Sequence, residues 1–421
     1  MNETILRCFF MSNVWFVENM YTLFNFPKNW SFSGKSCLRQ KYIKYCLSYC
    51  DIINVIKNVE DFMSIKQSES RSGLKSKLAS RNLEFEESEL EDALIKYNYF
   101  NLFNGIESIL LSKTNPKSFN KVKLDDFLAI YEFDLKLSST ILEILNKVEI
   151  RLKNSIAYHF TQKHCNTIQD TMGYTNQANY LNPQNRPNSG NYPFVKFQNK
   201  SIYNNFDKFT FFSPWYLTNL INRNDYIDYK FYSDPSYDSR LTDSPSYRID
   251  KNNSNYSVAV PMWVAIETLT LGEVIRLLHY LNDDILENVM KDMDITQFNS
   301  LFHRTEFLNM LDFLLCLRNN CAHGSLVFRL ITPKSMKISS TLVSFFNLTP
   351  SETGTPCSSI SLFDTLKILN HFESTRPLKT IVQNIVDRNS NYFESPDFDL
   401  NDRLLSKMGE PSLSEWSSNL F

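Results

Sequence analysis

Between residues 128 and 160, apolar side chains return every three or four positions. Leu137, Ile141, Leu145, Val148, Leu152 and Ile156 mark one face, with Glu143, Lys147, Arg151 and Asn154 on the others. That period predicts one long amphipathic helix. Helical patterning returns at Pro261 in PMWVAIETLTLGEVIRLLHYL, a proline suited to a first turn. A further helix is predicted over 296–322, with Leu308, Leu311, Leu314, Leu315 and Leu317 inside it and Gly324 just past its end. Two more follow at about 361–373 and 377–388. Residues 170–256 lack such a period. Asn, Tyr, Ser, Asp and six prolines dominate there, which predicts an irregular or partly stranded insertion.

Composition narrows the fold. Only 9 of 421 residues are glycine, while 43% are hydrophobic and 14% aromatic. Neither a dinucleotide-binding nor a P-loop glycine pattern is present. Turn-rich β architectures, which rely on glycine for positive φ, are disfavoured. The expectation is a mainly α, multi-helical bundle with an N-terminal helical extension and an irregular insertion. Its parts are a partly basic helical region at 1–80, the first bundle helices at 81–169, the insertion at 170–256, the remaining helices at 257–392 and a tail at 393–421.

Charge is balanced overall, at −2, but segregated along the chain. Ten Lys/Arg stand against four acids in 35–81, among them Lys35, Arg39, Lys41, Lys75, Lys77 and Arg81. Six acids and no base follow in 84–92. Such runs read as solvated helix faces or as a basic arm for phosphates. Lys121 and Lys123 lie in a second basic stretch, 113–123, and Tyr and Phe near 97–103 are available for base stacking.

The eight cysteines form no C-x-x-C and no zinc-ribbon spacing, so neither a metal nor another cofactor is expected. Charged and amide residues interrupt the apolar N-terminus, leaving no signal sequence or membrane span. A bacterial cytoplasmic protein without membrane partners is expected.

Chemistry concentrates in LLCLRNNCAHGSLVF. Arg318, Asn319 and His323 form R-N-x-x-x-H, and no other arginine in the chain has a histidine five to seven residues on. A guanidinium pairs with phosphoryl oxygens and an imidazole moves protons near neutrality. Asn319 can orient either partner. A plainer reading is that Arg318 and His323 are cations at a helix C-terminus. On a straight helix the two lie about 140° apart, so Arg318 must reach around or the helix must bend.

The same segment resembles the motif of the HEPN superfamily of ribonucleases. Further blocks resemble abortive-infection (Abi) proteins of the D/F type: 72–106, YEFDLKLSSTILEILNKVEIRLKNSIAYHF at 131–160, PMWVAIETLTLGEVIRLL at 261–278, LRNNCAHGSLVFRL at 317–330 and, faintly, MGEPSLSEW at 408–416. Residues 1–71 have no counterpart, the insertion is long, and Phe328-Arg329 stands where relatives often carry Asn-Arg. The resemblance implies a helical HEPN domain that cuts RNA without metal in phage defence, with Arg318, Asn319 and His323 catalytic. Some relatives are toxins restrained by a structured non-coding RNA, so RNA is expected as substrate and as partner, and DNA is not. A homodimer is expected for cleavage, paired through the 296–323 helix and its neighbours. Arg151, Lys153 and Arg329 are further candidates for RNA contact, while Glu149 matches a family acid and reads as a supporting carboxylate. Trp263 and Tyr99 read as core, and His159 and His164 as surface or core rather than ligands. The alternative is an RNA-binding helical protein of a defence ribonucleoprotein that does not cleave.

Overall fold

The chain divides into two compact units, 1–69 and 70–421. The computed structural model describes residues 69–185, 192–194, 202, 205–213, 247–251, 254–258, 260–295, 304–391 and 398–421. Lys35, Arg39 and Lys41 lie outside them. Thirteen α-helices and three two-stranded hairpins are found among the described residues, giving the mainly α architecture expected. None of these helices is long and apolar enough to cross a membrane.

Helices α1 (Arg71–Ser80) and α2 (Glu87–Lys96) pack together, so α1 belongs with the second unit. Their opposite charges meet across that contact: Glu91 pairs with Lys75 at 2.5 Å and Arg71 at 3.6 Å. Part of the segregated charge is therefore two helices matched to each other. A π-helical turn (Phe100–Asn104), the short α3 (Glu107–Leu110) and the hairpin of β1 (Lys113–Thr114) and β2 (Lys117–Ser118) lead to the axis of the bundle.

That axis is α4 (Leu124–His164), 41 residues and about 60 Å long. All six predicted apolar positions, from Leu137 to Ile156, are buried. Asp126 fixes its start: one oxygen accepts from the Lys123 backbone N–H at 2.8 Å, and the other accepts from Arg388 at 3.1 Å.

The segment from Pro261 is broken rather than continuous. Helix α5 (Met262–Ala265) passes into a 3₁₀ turn (Ile266–Thr268), and α6 (Leu271–Tyr280) starts afresh at Thr270. Thr270 accepts from the Glu273 N–H while Glu273 accepts from the Thr270 N–H, a reciprocal cap that outweighs the apolar period. Trp263, expected in the core, is 57% exposed. The described parts of the insertion are 3₁₀ turns and one hairpin, β3 (Tyr247–Lys251) with β4 (Ser254–Val258).

Helix α7 (Asp283–Asp292) is joined to the C-terminal half of α4 by Ser155 and His159 on Asp292 and by Lys163 on Asp284. Helix α8 (Arg304–Ala322) lies between α4, α6 and a later helix, α10. The hairpin of β5 (Lys337–Ile338) and β6 (Cys357–Ser358), α9 (Ser340–Phe345), α10 (Leu362–Phe372), α11 (Leu378–Ser390), α12 (Leu400–Met408) and α13 (Leu413–Leu420) complete the unit.

Lys153 departs most from the sequence expectation. It is 6% exposed, with Glu149 Oε1 at 2.9 Å and Glu267 at 3.7 Å. It ties α4 to the turn after α5 and is withdrawn from any RNA surface. Glu149, read from sequence as a supporting carboxylate, is half-buried and pairs with Lys153. Removing one member of a buried pair strands the other, at a cost of about 3 kcal/mol. Lys153→Met should lower stability in urea unfolding by roughly that amount; unchanged stability would mean that the pair does not bear on folding.

Candidate functional site

The site lies where α8 stops. Apolar residues bury this helix through Leu317 and Cys321, and its surface opens only in the last turn. Gly324 takes φ +67°, and the Ser325 N–H reaches back to the Asn320 carbonyl at 3.2 Å. Together they form a left-handed helix stop. The final helical bond runs from the His323 N–H to the Asn319 carbonyl at 3.0 Å, stacking these residues one turn apart.

Arg318 is half-buried, and its Nη1 lies 3.4 Å from Asn319 Oδ1. The guanidinium thus bonds the amide of the neighbouring residue, whose backbone carbonyl holds His323 one turn on. Asn319 is half-buried and His323 exposed, so both ends of the motif meet solvent. Among the described residues no carboxylate pairs with Arg318, and its charge stays unspent.

Other basic candidates are spent. Arg81 pairs with Glu107 at 3.1 Å, and Arg151 pairs with Asp294 at 2.6 Å. Arg151 also lines an open groove of about 630 Å³ with Lys147, Asp292 and Glu373, where the two signs balance. Lys121 is exposed on a turn with φ +53°, and Lys123 is held by its backbone at the start of α4. Arg329 lies six residues beyond His323, and its Nη1 donates to the Gly105 carbonyl at 3.1 Å.

Two features of the loop that follows His323 escaped the sequence reading. The first is Asp134, 3% exposed on α4. It accepts from the Phe328 N–H at 2.7 Å and from the Val327 N–H, clamping the chain just beyond the motif. Its signal was an acid three residues before Leu137, on the buried face of the helical period. The second is the Phe100–Asn104 turn, where Asn101 Nδ2 donates to the Gly324 carbonyl at 3.3 Å. Gly105 closes this contact. A Cβ there would collide with Leu326 and with the Asn101 carbonyl, so only glycine fits.

A further buried line on α8 was hidden among leucines. Asn309 bonds the Ser339 N–H and the Lys337 carbonyl, Glu306 accepts from the Ser339 hydroxyl, and Tyr192 donates to Asp312 at 2.6 Å. These contacts hold the helix in rotation. No cluster of metal-ligating side chains occurs among the described residues. Four cysteines there, Cys165, Cys316, Cys321 and Cys357, are free thiols.

A family model described as Abi-like protein matches residues 92–329, from within α2 to the turn that Asp134 clamps. No curated protein and no solved structure matches the chain.

Burial pushes the Asp134 carboxyl up to about 7, against two N–H donors that favour its ionised form. Between its ordinary value of 3.8 and 7, the folded chain keeps a proton that the unfolded chain has released. This group's contribution to stability is therefore full at low pH, falls as pH rises through that window and levels off above it. Asp134→Asn should gain on the wild type by about 1.4 kcal/mol per pH unit from about pH 4 to pH 7. Paired urea titrations across this range would read it, and a constant difference would contradict the clamp's burial.

Proposed function

Because the chain belongs to the Abi-like protein family, we propose that it acts in abortive infection, as a phage-defence endoribonuclease of the HEPN type working without metal. The observation supporting this reading is the helix end itself. An unspent guanidinium, an amide and an exposed imidazole stand together on an otherwise buried helix. Cations serving only to complement a helix C-terminus do not need the neighbouring amide.

In this mechanism the RNA 2′-hydroxyl gives up its proton and attacks the adjacent phosphorus, and the bond to the 5′-oxygen breaks as that oxygen takes a proton. Products are a 2′,3′-cyclic phosphate and a 5′-hydroxyl. Arg318 binds the phosphorane oxygens, where charge accumulates. His323 transfers one of the two protons, and Asn319 orients the guanidinium. DNA, lacking the 2′-hydroxyl, is spared. A structured cognate RNA, held through its phosphates, restrains the toxin in the resting cell.

One chain supplies one such histidine, whereas the reaction moves a proton at two oxygens. We therefore assign the cleaving state to a homodimer that brings two His323 residues together across a two-fold axis. Leu308, Leu311, Leu314, Leu315 and Leu317 are buried in their own core. Pairing falls instead to the open helix end and residues 322–325.

Arg318→Ala and His323→Ala should each lower RNA cleavage in EDTA by about 100-fold or more while circular dichroism stays unchanged. A folded variant with full activity would remove the motif from the chemistry, and RNA binding without any wild-type cleavage would leave a non-cleaving RNA partner. Mixing wild type with excess His323→Ala chain should suppress activity below the wild-type share. Activity that simply tracks wild-type concentration would mean that each chain works alone.

A further inference from the structure

Aromatic residues are crowded around the Phe100–Asn104 turn, and nearly all are engaged. Tyr97 packs edge-on against Tyr131, Tyr99 against Phe103, and Phe103 against Phe127. Phe100 is the exception: it is 65% exposed, the most exposed large apolar side chain among the described residues. Loss of water contact cannot explain a phenylalanine left in that state, since its ring is the part not removed from solvent.

The turn beneath it is firmly built. Asn98 Oδ1 accepts from the N–H groups of both Phe100 and Asn101, and the Gly105 N–H closes on the Phe100 carbonyl at 2.8 Å. Three contacts then stitch the turn to the loop that follows the motif: Asn101 to the Gly324 carbonyl, Arg329 to the Gly105 carbonyl, and Leu326 against Gly105. Phe100 is next in sequence to Asn101, and Gly324 is next to His323. An exposed aromatic ring is thus held on a turn that is bonded to the residue after the histidine.

We infer that Phe100 is a stacking platform for one base of the RNA strand whose phosphate lies at Arg318 and His323. The inference rests on the RNA-cleaving reading of that site. A base with its π-face open gains by stacking on an aromatic ring, and this works only on unpaired nucleotides. The substrate at the cut is therefore single-stranded, a loop or an unpaired end, and the platform tolerates any base. Phe100 is a positioning residue: it fixes the strand and touches neither of the transferred protons.

The test measures affinity for a labelled, mixed-sequence single-stranded RNA oligonucleotide, with the full chain carrying His323→Ala so that no cutting intervenes. In that background Phe100→Ala and Phe100→Leu should each weaken binding by about fivefold or more, because leucine keeps apolar area but has no π-face. Phe100→Trp should hold or improve it. Affinity for a fully paired RNA duplex should be the same in all four chains. Equal single-strand affinity across the series overturns the platform. So does a leucine variant as good as phenylalanine, most clearly if the alanine variant also sediments as a smaller species, which would make Phe100 an apolar contact between copies. Since binding is read without cleavage, a wild type that fails to cut RNA overturns the nuclease reading and leaves the stacking result standing.

Discussion

The bond between Asp134 and the backbone at Phe328 carries more of this architecture than its size suggests. It joins the axial helix to the loop that terminates the motif helix, across 194 residues of sequence. The same loop receives Asn101 and supports Arg329, so α4, the π-helical turn and the end of α8 share one junction. A carboxylate buried to this depth is costly unless its oxygens are bonded, and the peptide N–H groups it accepts would otherwise be buried without a partner. Each half of the contact makes the other tolerable. A site that must hold an imidazole and a guanidinium in fixed relation gains from such support beneath it.

Charge accounting separates Arg318 from several of the other basic residues. Lys75, Arg81, Arg151 and Lys153 were candidates for RNA contact, yet each has a carboxylate within 4 Å. A cation already paired gains less from a phosphate, because the existing partner must be released or repelled. Arg318 pairs with an amide, which directs the guanidinium without neutralising it. The chain is close to neutral as a whole, so the RNA binding proposed here would have to come from local imbalance of this kind rather than from net charge.

Periodicity made the long helix legible because burial on one side of α4 imposes it directly, and the R-N-x-x-x-H spacing was legible because it is local. Asp134 shows what was not. Its position on the buried face could be read, but its partner lies far along the chain, and nothing local announces that a loop will arrive there. Thr270 shows a different limit: a cap–acid pair interrupts a helix inside an unbroken apolar pattern, and the pattern alone favours continuing. Lys153 and Trp263 were misjudged for one shared reason. Residue type carries a preference for surface or core, and an ion pair or a local turn can reverse it.

The geometry of the helix end bears on why the proposed cleavage calls for two chains. His323 follows the last residue of a helix whose sides are buried, so the approach to it is from the open end. Asn319 and Arg318 lie one turn back, and the Gly324 turn leads the chain directly toward the Asp134 clamp. This leaves an imidazole and a guanidinium at the helix end and no second R-N-x-x-x-H motif in the same chain. Two copies related by a two-fold axis would place an identical pair opposite, giving base and acid from one encoded motif. On the proposed reading, a folded RNA that occupied the helix end without offering an unpaired nucleotide would block both the partner chain and the substrate, and restraint would need no separate inhibitor site.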